Sequence, residues 1–390
     1  MLSFRTAGES HGQALIALVE GLPAHLLLDF EFIDHELKRR QGGYGRGGRM
    51  KIERDRVRFL SGVRHGKTLG SPIAMMIENR DWTNWEEIMS VREVAGDPAA
   101  KRRVTRPRPG HTDLAGSLKF NHVDARNILE RSSARETAAR VAAGAVAKVF
   151  LRNFGIEILS HTTAIGIVRL PDDFSVSWEQ LEAIRDDDVV RCAVPDLAEK
   201  MVKEIEKAQK DGDTIGGTFE VIARDVPTGL GSHTGWDTRL DGKLAQAIMS
   251  VNAVKAVEVG QGVRVAYSRG SEAHDEIAYD GGKRRFYRLS NRAGGIEGGI
   301  SNGEDVRVVG YLKPIPTLKK ALRSVDMLSK EPFLAQHERS DTCTVPAAGV
   351  IGEAMMALVL ANAFLEKFGG DSMAETKRNY EGYIEQLRSY

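Results

Sequence analysis

The stretch SARETAARVAAGAVAKVFLRNFG, residues 133–155, constrains the fold more than any other part of the chain. Its alanines favour helix and keep no neighbour at a distance, which predicts a buried central helix that another helix approaches closely. A second stretch, AAGVIGEAMMALVL at 347–360, aligns without gaps against AARVAAGAVAKVFL at 138–151, sharing two alanines, a valine, an alanine and a leucine. Each follows a loop bearing arginine and serine and ends before a Phe-Gly. The alignment raises a pseudo-twofold duplication with both helices central; chance matching between two alanine-rich helices is the competing reading. Arg140 and Lys148 interrupt the first apolar run and Glu353 the second, so neither is expected to span a bilayer.

Outside these runs the composition is that of an ordinary soluble globular protein, with 42% hydrophobic and 28% charged residues over 390 positions. The net charge of +1 supplies no global field toward nucleic acid or membrane, so any basic site is local. Cys192 and Cys343 lie far apart without metal-ligand spacing, which fits a reducing compartment. MLSFRTAGES has no apolar core of a signal peptide.

The local basic site is immediately upstream of the first alanine-rich helix. Arg102, Arg103, Arg106, Arg108, Arg126, Arg131 and Arg135 surround His111 and His122 within residues 102–144. Pro107 and Pro109 hold the chain extended and present Gly110-His111 on a stiffened loop. Ser132, Ser133 and Arg135 fall where loop gives way to helix, a place whose free N–H groups favour an anion. These residues admit two readings: a polyanion pocket with a proton-transfer histidine, or a solvated basic loop.

Periodicity organises the rest. Residues 1–28 read as two strands broken by TAGESHG, where Gly8 and Gly12 bracket Glu9, Ser10 and His11. A histidine so placed has little local packing, which argues against a core role. Asp29 is set to cap a helix over EFIDHELKRRQ, whose basic last turn runs into Gly42. GGYGRGGRM, 42–50, lacks the preceding strand and following helix of a dinucleotide-binding turn. It reads instead as a glycine-hinged lid bringing Arg40 and Arg46 onto an anion, or as a single arginine–glycine RNA-binding segment. VRFLSGV and SPIAMMIEN read as strands, and 80–110 as a long polar loop. GIEILSHTTAIGIVRL, TIGGTFEVIARDVP, KAVEVGQGVRVAYSRG and VRVVGYL read as strands, with helices over LAEKMVKEIEKAQKDG and LDGKLAQAIMSVNAV. NRAGGIEGGISNGED is a second glycine-dense loop. Prolines stiffen Lys313 in KPIPT, which suits a ligand contact. Asp341 alone reads as a cap for the helix from 345, and the residues after Gly370 as a peripheral helix.

Seven motifs stand in order: TAGESHGQALIALVEGLP, KRRQGGYGRGGRM, RPRPGHTDLAGSLKF, RSSARETAARVAAGA, GGIEGGISNG, KPIPT and RSDTCTVPAAGVIGEAM. Together they closely resemble the chorismate synthase family, in its bacterial form, over essentially the whole chain. The resemblance implies an α+β fold: a single-domain β-α-β sandwich over 1–390, with antiparallel sheets enclosing a core of alanine-rich helices and a peripheral tail at 370–390. It implies a cytoplasmic homotetramer. The implied reaction is the anti-1,4 elimination of phosphate from 5-enolpyruvylshikimate 3-phosphate, giving chorismate at the end of the shikimate pathway. Reduced FMN is required without net redox, with NADPH a candidate reductant.

By the same resemblance His11 protonates the departing phosphate, His111 donates toward the flavin and Asp341 relays the proton at flavin N5. Arg131, Ser132, Ser133, Asn252, Ala253, Gly298, Lys313, Pro314, Ile315, Pro316, Thr317 and Arg339 would contact FMN. Ser10, Arg40, Arg46, Arg108, Arg135 and Arg339 would hold substrate, with Arg40 and Arg46 also marking the NADP site. A substrate bearing one phosphate and two carboxylates accounts for dense arginine in a near-neutral chain, because guanidinium forks suit such groups. His122 acquires no role, and no metal, nucleic acid or membrane is implied. A flavin reductase or other FMN enzyme on the same scaffold, and an RNA-binding protein using GGYGRGG, are the competing readings.

Overall fold

A computed structural model describes residues 1–47, 55–96, 100, 102–172, 174–335 and 341–390. Two antiparallel sheets flank a helical layer. The first contains β1 (Ser3–Ala7), β2 (Ala14–Glu20), β3 (Arg58–Phe59) and β4 (Ile73–Glu78) in the order β1-β2-β4-β3. The second contains β5 (Glu157–Ile165), β6 (Val168–Arg169), β7 (Gly217–Arg224), β8 (Val254–Val259) and β9 (Val306–Leu312) in the order β8-β9-β7-β5-β6. Alternation selects the inner faces: Leu15, Ala17 and Val19 of β2 and Ile73, Met75 and Ile77 of β4 are all buried.

Among the described residues the helices of seven or more residues are α1 (Phe30–Gln41), α2 (Asp113–Phe120), α3 (Arg126–Ser132), α4 (Thr137–Arg152), α5 (Pro195–Lys210), α6 (Leu240–Met249), α7 (Val345–Phe368) and α8 (Met373–Ser389). The two helices that align in sequence, α4 and α7, pack on each other at the centre. A Cβ on Gly144 of α4 would lie 2.5 Å from the Ala354 Cα of α7, so only glycine permits this approach. On its far side α4 meets β2 and β4, while α7 meets β5 and β7. Gly352 does for that second contact what Gly144 does for the first: its Cβ would come within 2.7 Å of the Phe219 ring. Both helices thus have a sheet on one side and each other on the opposite side, the shared environment a duplication requires. Phe150, Phe154 and Phe364 close the far end of the pair, and Tyr380 of α8 packs against Phe154 and Phe364. Burying Phe150 and Phe364 fully contributes about 1.5–3 kcal/mol each.

The charges that interrupt the two apolar runs meet inside. Lys148 of α4 donates to Glu353 of α7 at 2.5 Å and to Glu36 of α1 at 2.6 Å. Arg39 forks onto the same Glu353 at 2.7 and 2.8 Å, and the Ser160 hydroxyl of β5 donates to it at 2.6 Å. Burial would raise the Glu353 carboxyl, but Arg39 and Lys148 outweigh it and hold it below the ordinary carboxylate range. Removing one member of such a pair would strand a buried charge, at a cost of about 3–5 kcal/mol. The network therefore specifies how α1, α4, α7 and β5 dock. α7 is long and apolar enough to cross a membrane, yet 89% of its most apolar window is buried, so it is a core helix.

Local readings hold with some corrections. Asp29 caps α1, accepting from the Phe32 N–H at 2.9 Å. Gly42 ends it in extended geometry, φ −69°, and the left-handed turn falls one residue later, at Gly43 with φ 111°. The strand expected over 255–270 stops at Val259, because Gly260 and Gly262 take positive φ and the chain coils into a 3-10 turn over Gly262–Tyr267. Where a loop is expected to give way to helix at Ser132–Arg135, the chain instead forms α3 and a 3-10 turn over Ala134–Glu136 before the alanine-rich helix begins at Thr137.

Candidate active site

Three clusters of polar side chains stand on helix α3, at the first turn of α2 and on the turn after α3. The first is built on the β1–β2 connection, where Gly8 takes φ 101° and a Cβ would lie 3.0 Å from the Leu15 Cα. The turn docks on α3 through Ser10 N–H to the Glu130 carbonyl at 2.9 Å and His11 N–H to the Glu130 carboxylate at 2.8 Å. The His11 ring then sets Nδ1 against both Glu130 oxygens, at 2.9 and 3.0 Å. Arg126, one helical turn before Glu130, donates to it at 2.9 Å. Burial acts to raise the Glu130 carboxyl, but His11 and Arg126 outweigh it and keep it below its ordinary value. Trp85 stacks on the His11 ring at 3.8 Å between centroids, with Arg102 4.1 Å from the indole. The loop expected at 80–110 thus contributes this residue directly.

The second cluster holds the other histidine. His111 Nδ1 lies 2.6 Å from Asp113, which also accepts Arg108 Nε at 2.8 Å, Arg108 Nη2 at 3.0 Å and the Arg108 N–H at 3.1 Å. Asp113 is fully buried in the first turn of α2. Burial opposes its ionisation, but His111 and Arg108 hold it well below the carboxylate range. Arg108 and His111 form one unit on one carboxylate. From there hydrogen bonds reach Thr317, Lys313, Ala253, Asn252 and Ser132 among the expected flavin contacts. Arg108 Nη1 donates to Thr317 at 3.3 Å and Lys313 Nζ to the Gly110 carbonyl at 2.5 Å. Lys313 N–H donates to the Ala253 carbonyl at 3.0 Å, and Asn252 Nδ2 to the Ser132 carbonyl at 3.2 Å. The Ile315 carbonyl, between Pro314 and Pro316, accepts from Thr214 at 2.8 Å.

Three other expected flavin contacts sit apart from this run of bonds. Ser133 Oγ caps the 3-10 turn, accepting from Arg135 N–H at 3.3 Å. Arg131 donates to the Thr6 carbonyl at 2.8 Å and the Gly8 carbonyl at 3.1 Å, so it braces the turn that carries His11. Gly298 occupies the tip of a hairpin between Ile296–Glu297 and Ile300–Ser301, and among the described residues no contact joins it to this chain of bonds.

In the third cluster Arg40 and Arg135 share Asp55. Arg135 Nη1 donates to it at 2.5 Å and Arg40 Nη1 lies 3.6 Å away, while Arg40 Nε donates to the Thr137 hydroxyl at 2.9 Å. Arg40 is buried in the last turn of α1 and is not part of a lid. Arg46 does lie on the glycine-rich segment, paired at 2.8 Å with Asp341, which also accepts the Gly47 N–H at 2.6 Å. Asp341 is therefore not the cap of α7; Thr344 occupies that position and makes no side-chain capping bond. Arg339, and residues 48–50 of the glycine-rich segment, lie outside the described residues. His122 is exposed and meets Asn127 at 3.4 Å, with no part in these clusters.

Glu130, Asp113 and Asp55 are the residues that reasoning from the sequence passed over. Each is a buried carboxylate that orients cations or imidazoles. Only Asp113, two residues after His111, carried a local signal.

With this geometry in place, comparisons give the family. The chorismate synthase family model matches residues 2–365. Chorismate synthase from Solibacter usitatus (strain Ellin6076) is 56% identical over 392 residues, covering 100% of each chain, and that from Geobacter sulfurreducens is 54% identical at the same coverage. A crystal structure of a chorismate synthase superposes with a TM-score of 0.80 at 43% identity, covering 100% of this chain and 99% of that one.

Proposed function

The chain belongs to the chorismate synthase family, and from that premise we propose how its residues divide the family's reaction. That reaction eliminates phosphate and a ring hydrogen from 5-enolpyruvylshikimate 3-phosphate, giving chorismate without net redox. The family requires reduced flavin. Residues on the second cluster fit FMN: the Lys313 ammonium, the Asn252 amide and the Ser132 and Thr317 hydroxyls suit its polar groups. Ile315 and the prolines offer apolar surface to its ring. Gly110 adds a cradle, since a Cβ there would sit 3.2 Å from Lys313 Nζ and displace it. When bound, reduced FMN would supply the electron density that loosens a sluggish allylic phosphate.

His11 donates a proton to the departing phosphate, and His111 would donate toward bound flavin. Arg40 and Arg135, already aligned by Asp55, present fixed positive charge to the substrate's anionic groups, which avoids reorganisation as charge develops. Ser10, Arg108 and Arg46 complete the substrate's surroundings, and Arg339 contributes to both ligands. Asp341, held beside Arg46, would serve as the proton relay next to bound flavin. Arg40 and Arg46 together supply cations for NADPH, should it serve as reductant. Exposed Ile277, Tyr279 and Phe286 on the hairpin Ile277–Asp280/Arg285–Arg288 support assembly with further copies, a homotetramer in this reading. Free, buried cysteines suit the cytoplasm.

The observation that carries the FMN assignment is the run of hydrogen bonds from Arg108–Thr317 through Gly110–Lys313 and Lys313–Ala253, with Asn252 continuing to Ser132. The test is anaerobic. Protein, reduced FMN and substrate are mixed, and phosphate release is followed beside chorismate absorbance. Stoichiometric product is expected; normal FMN binding with no product would sink the reading. NADPH oxidation with free FMN decides whether the protein reduces its own flavin.

A further inference from the structure

We infer that Glu130 and Trp85 are positioning residues for His11, together aiming its Nε2 at the departing phosphate. The inference rests on the reading of His11 as that phosphate's proton donor. Glu130 settles which nitrogen exchanges the proton. Both of its oxygens lie within 3.0 Å of Nδ1, and an ionised carboxylate only accepts, so Nδ1 keeps its hydrogen in either charge state of the ring. The exchanged proton is then the one on Nε2. Arg126 and the His11 N–H, at 2.9 and 2.8 Å, keep Glu130 both ionised and immobile. The C–O bond breaks with its electron pair going to phosphate, the C–H pair of the departing ring hydrogen fills the new double bond, Nε2 gives its proton to a phosphate oxygen, and His11 is left neutral with Nδ1–H still on Glu130. No proton passes to Glu130.

Trp85 settles the plane of the ring. It covers one imidazole face at 3.8 Å with 24° between planes, and its own Nε1–H is tied to Asp81 at 3.0 Å. Arg102 lies 4.1 Å from the indole centroid and helps hold it in place. Asn79 Nδ2, donating to the Gly12 carbonyl at 2.9 Å, pins the turn beneath. A hydrogen bond alone would let the ring swing about it; a stacked indole does not. Two independent restraints, one on the tautomer and one on the plane, leave Nε2 a single direction.

The experiment reads orientation apart from fold. In ¹⁵N-histidine spectra of the full-length protein at alkaline pH, His11, assigned by its loss in His11→Ala, is expected as the Nδ1–H tautomer. Glu130→Gln keeps the shape and loses the charge. Single-turnover phosphate release should fall by about 10–100-fold, with substrate affinity within threefold. The alkaline limb of its pH profile should move to lower pH, because the acid form of the ring has lost its counter-charge. Trp85→Phe should retain most of the rate and Trp85→Ala should not. An Nε2–H tautomer in the wild type, or a Glu130→Gln variant whose loss lies wholly in affinity with an unmoved pH profile, would overturn the inference. If Glu130→Gln fails to fold, the wild-type tautomer and the Trp85 pair still decide it. Full turnover by His11→Ala would instead remove the proton-donor reading, and the tautomer measurement separates the two failures.

Discussion

His11 and His111 each place Nδ1 against a buried carboxylate that an arginine also holds, yet Glu130 lies 119 residues from His11 and Asp113 only two from His111. The nearer unit forms with the first turn of α2 and needs little else; its carboxylate also binds the Arg108 fork, so one side chain supports two functional groups. The distant unit exists only after the β1–β2 turn has docked on α3 and the loop bearing Trp85 has folded over it. Its parts divide the work: Glu130 orients, Arg126 keeps the charge and Trp85 covers the face. Local construction couples roles, whereas assembly from distant segments keeps them separate.

The strongest way to break this comparison is to delete the rings. His11→Ala and His111→Ala should each slow single-turnover chorismate formation by roughly 10²–10⁴-fold while FMN binding survives; loss of flavin affinity with unchanged turnover would mean the two roles are misassigned. Next in size, Asp113→Asn should cost about 3–5 kcal/mol of stability, read by chemical denaturation. It should impair both ligand affinity and turnover, because Arg108 and His111 are released together. Glu130→Gln, by contrast, should spare affinity, and equal behaviour of the two variants would erase the distinction.

Acid titration sharpens the same point with a smaller effect. Asp113 and Glu130 both have folded-state values below those of the unfolded chain. Their contribution to stability is complete above the ordinary carboxylate values of 3.8 and 4.5 and is lost as pH falls below them toward the folded-state values. Denaturation midpoints measured from pH 6 downward should therefore decline in the wild type and decline less steeply in Asp113→Asn. The smallest effect is expected at His122, exposed and outside the clusters: His122→Ala should change stability by no more than about 0.5 kcal/mol and leave turnover as it was.

Residues whose reasons are local are legible in the sequence. Asp29 capping α1, the strand alternation of β2 and β4, and the close-packing helices α4 and α7 follow from propensity and period alone. So do the histidine between two glycines and the stiffened loop that leads to His111. Partners across the chain are not legible in this way: Lys148 with Glu353, 205 residues apart, and Arg135 with Asp55, 80 apart. Asp341 shows the same limit, since a cap is the local reading and a bond to the glycine-rich segment is what the fold supplies. Ser133 carries a local bond as well, its hydroxyl capping the turn that holds Arg135.

By itself, then, the sequence determined the layers and the chemistry available at each: which helices are central, which faces are apolar, and that arginine and histidine gather ahead of α4. Hydrophobic period and backbone propensity act over a few residues, so they are written contiguously. Only the tertiary structure decided which carboxylate holds which cation, because a buried charge selects its partner by distance and desolvation once the segments have docked. The alanine-rich stretch at 133–155 spans both kinds of knowledge. Its burial is evident from composition, but the contact of Gly144 with Ala354 and the pairing of Lys148 across the core arise only where the two central helices meet.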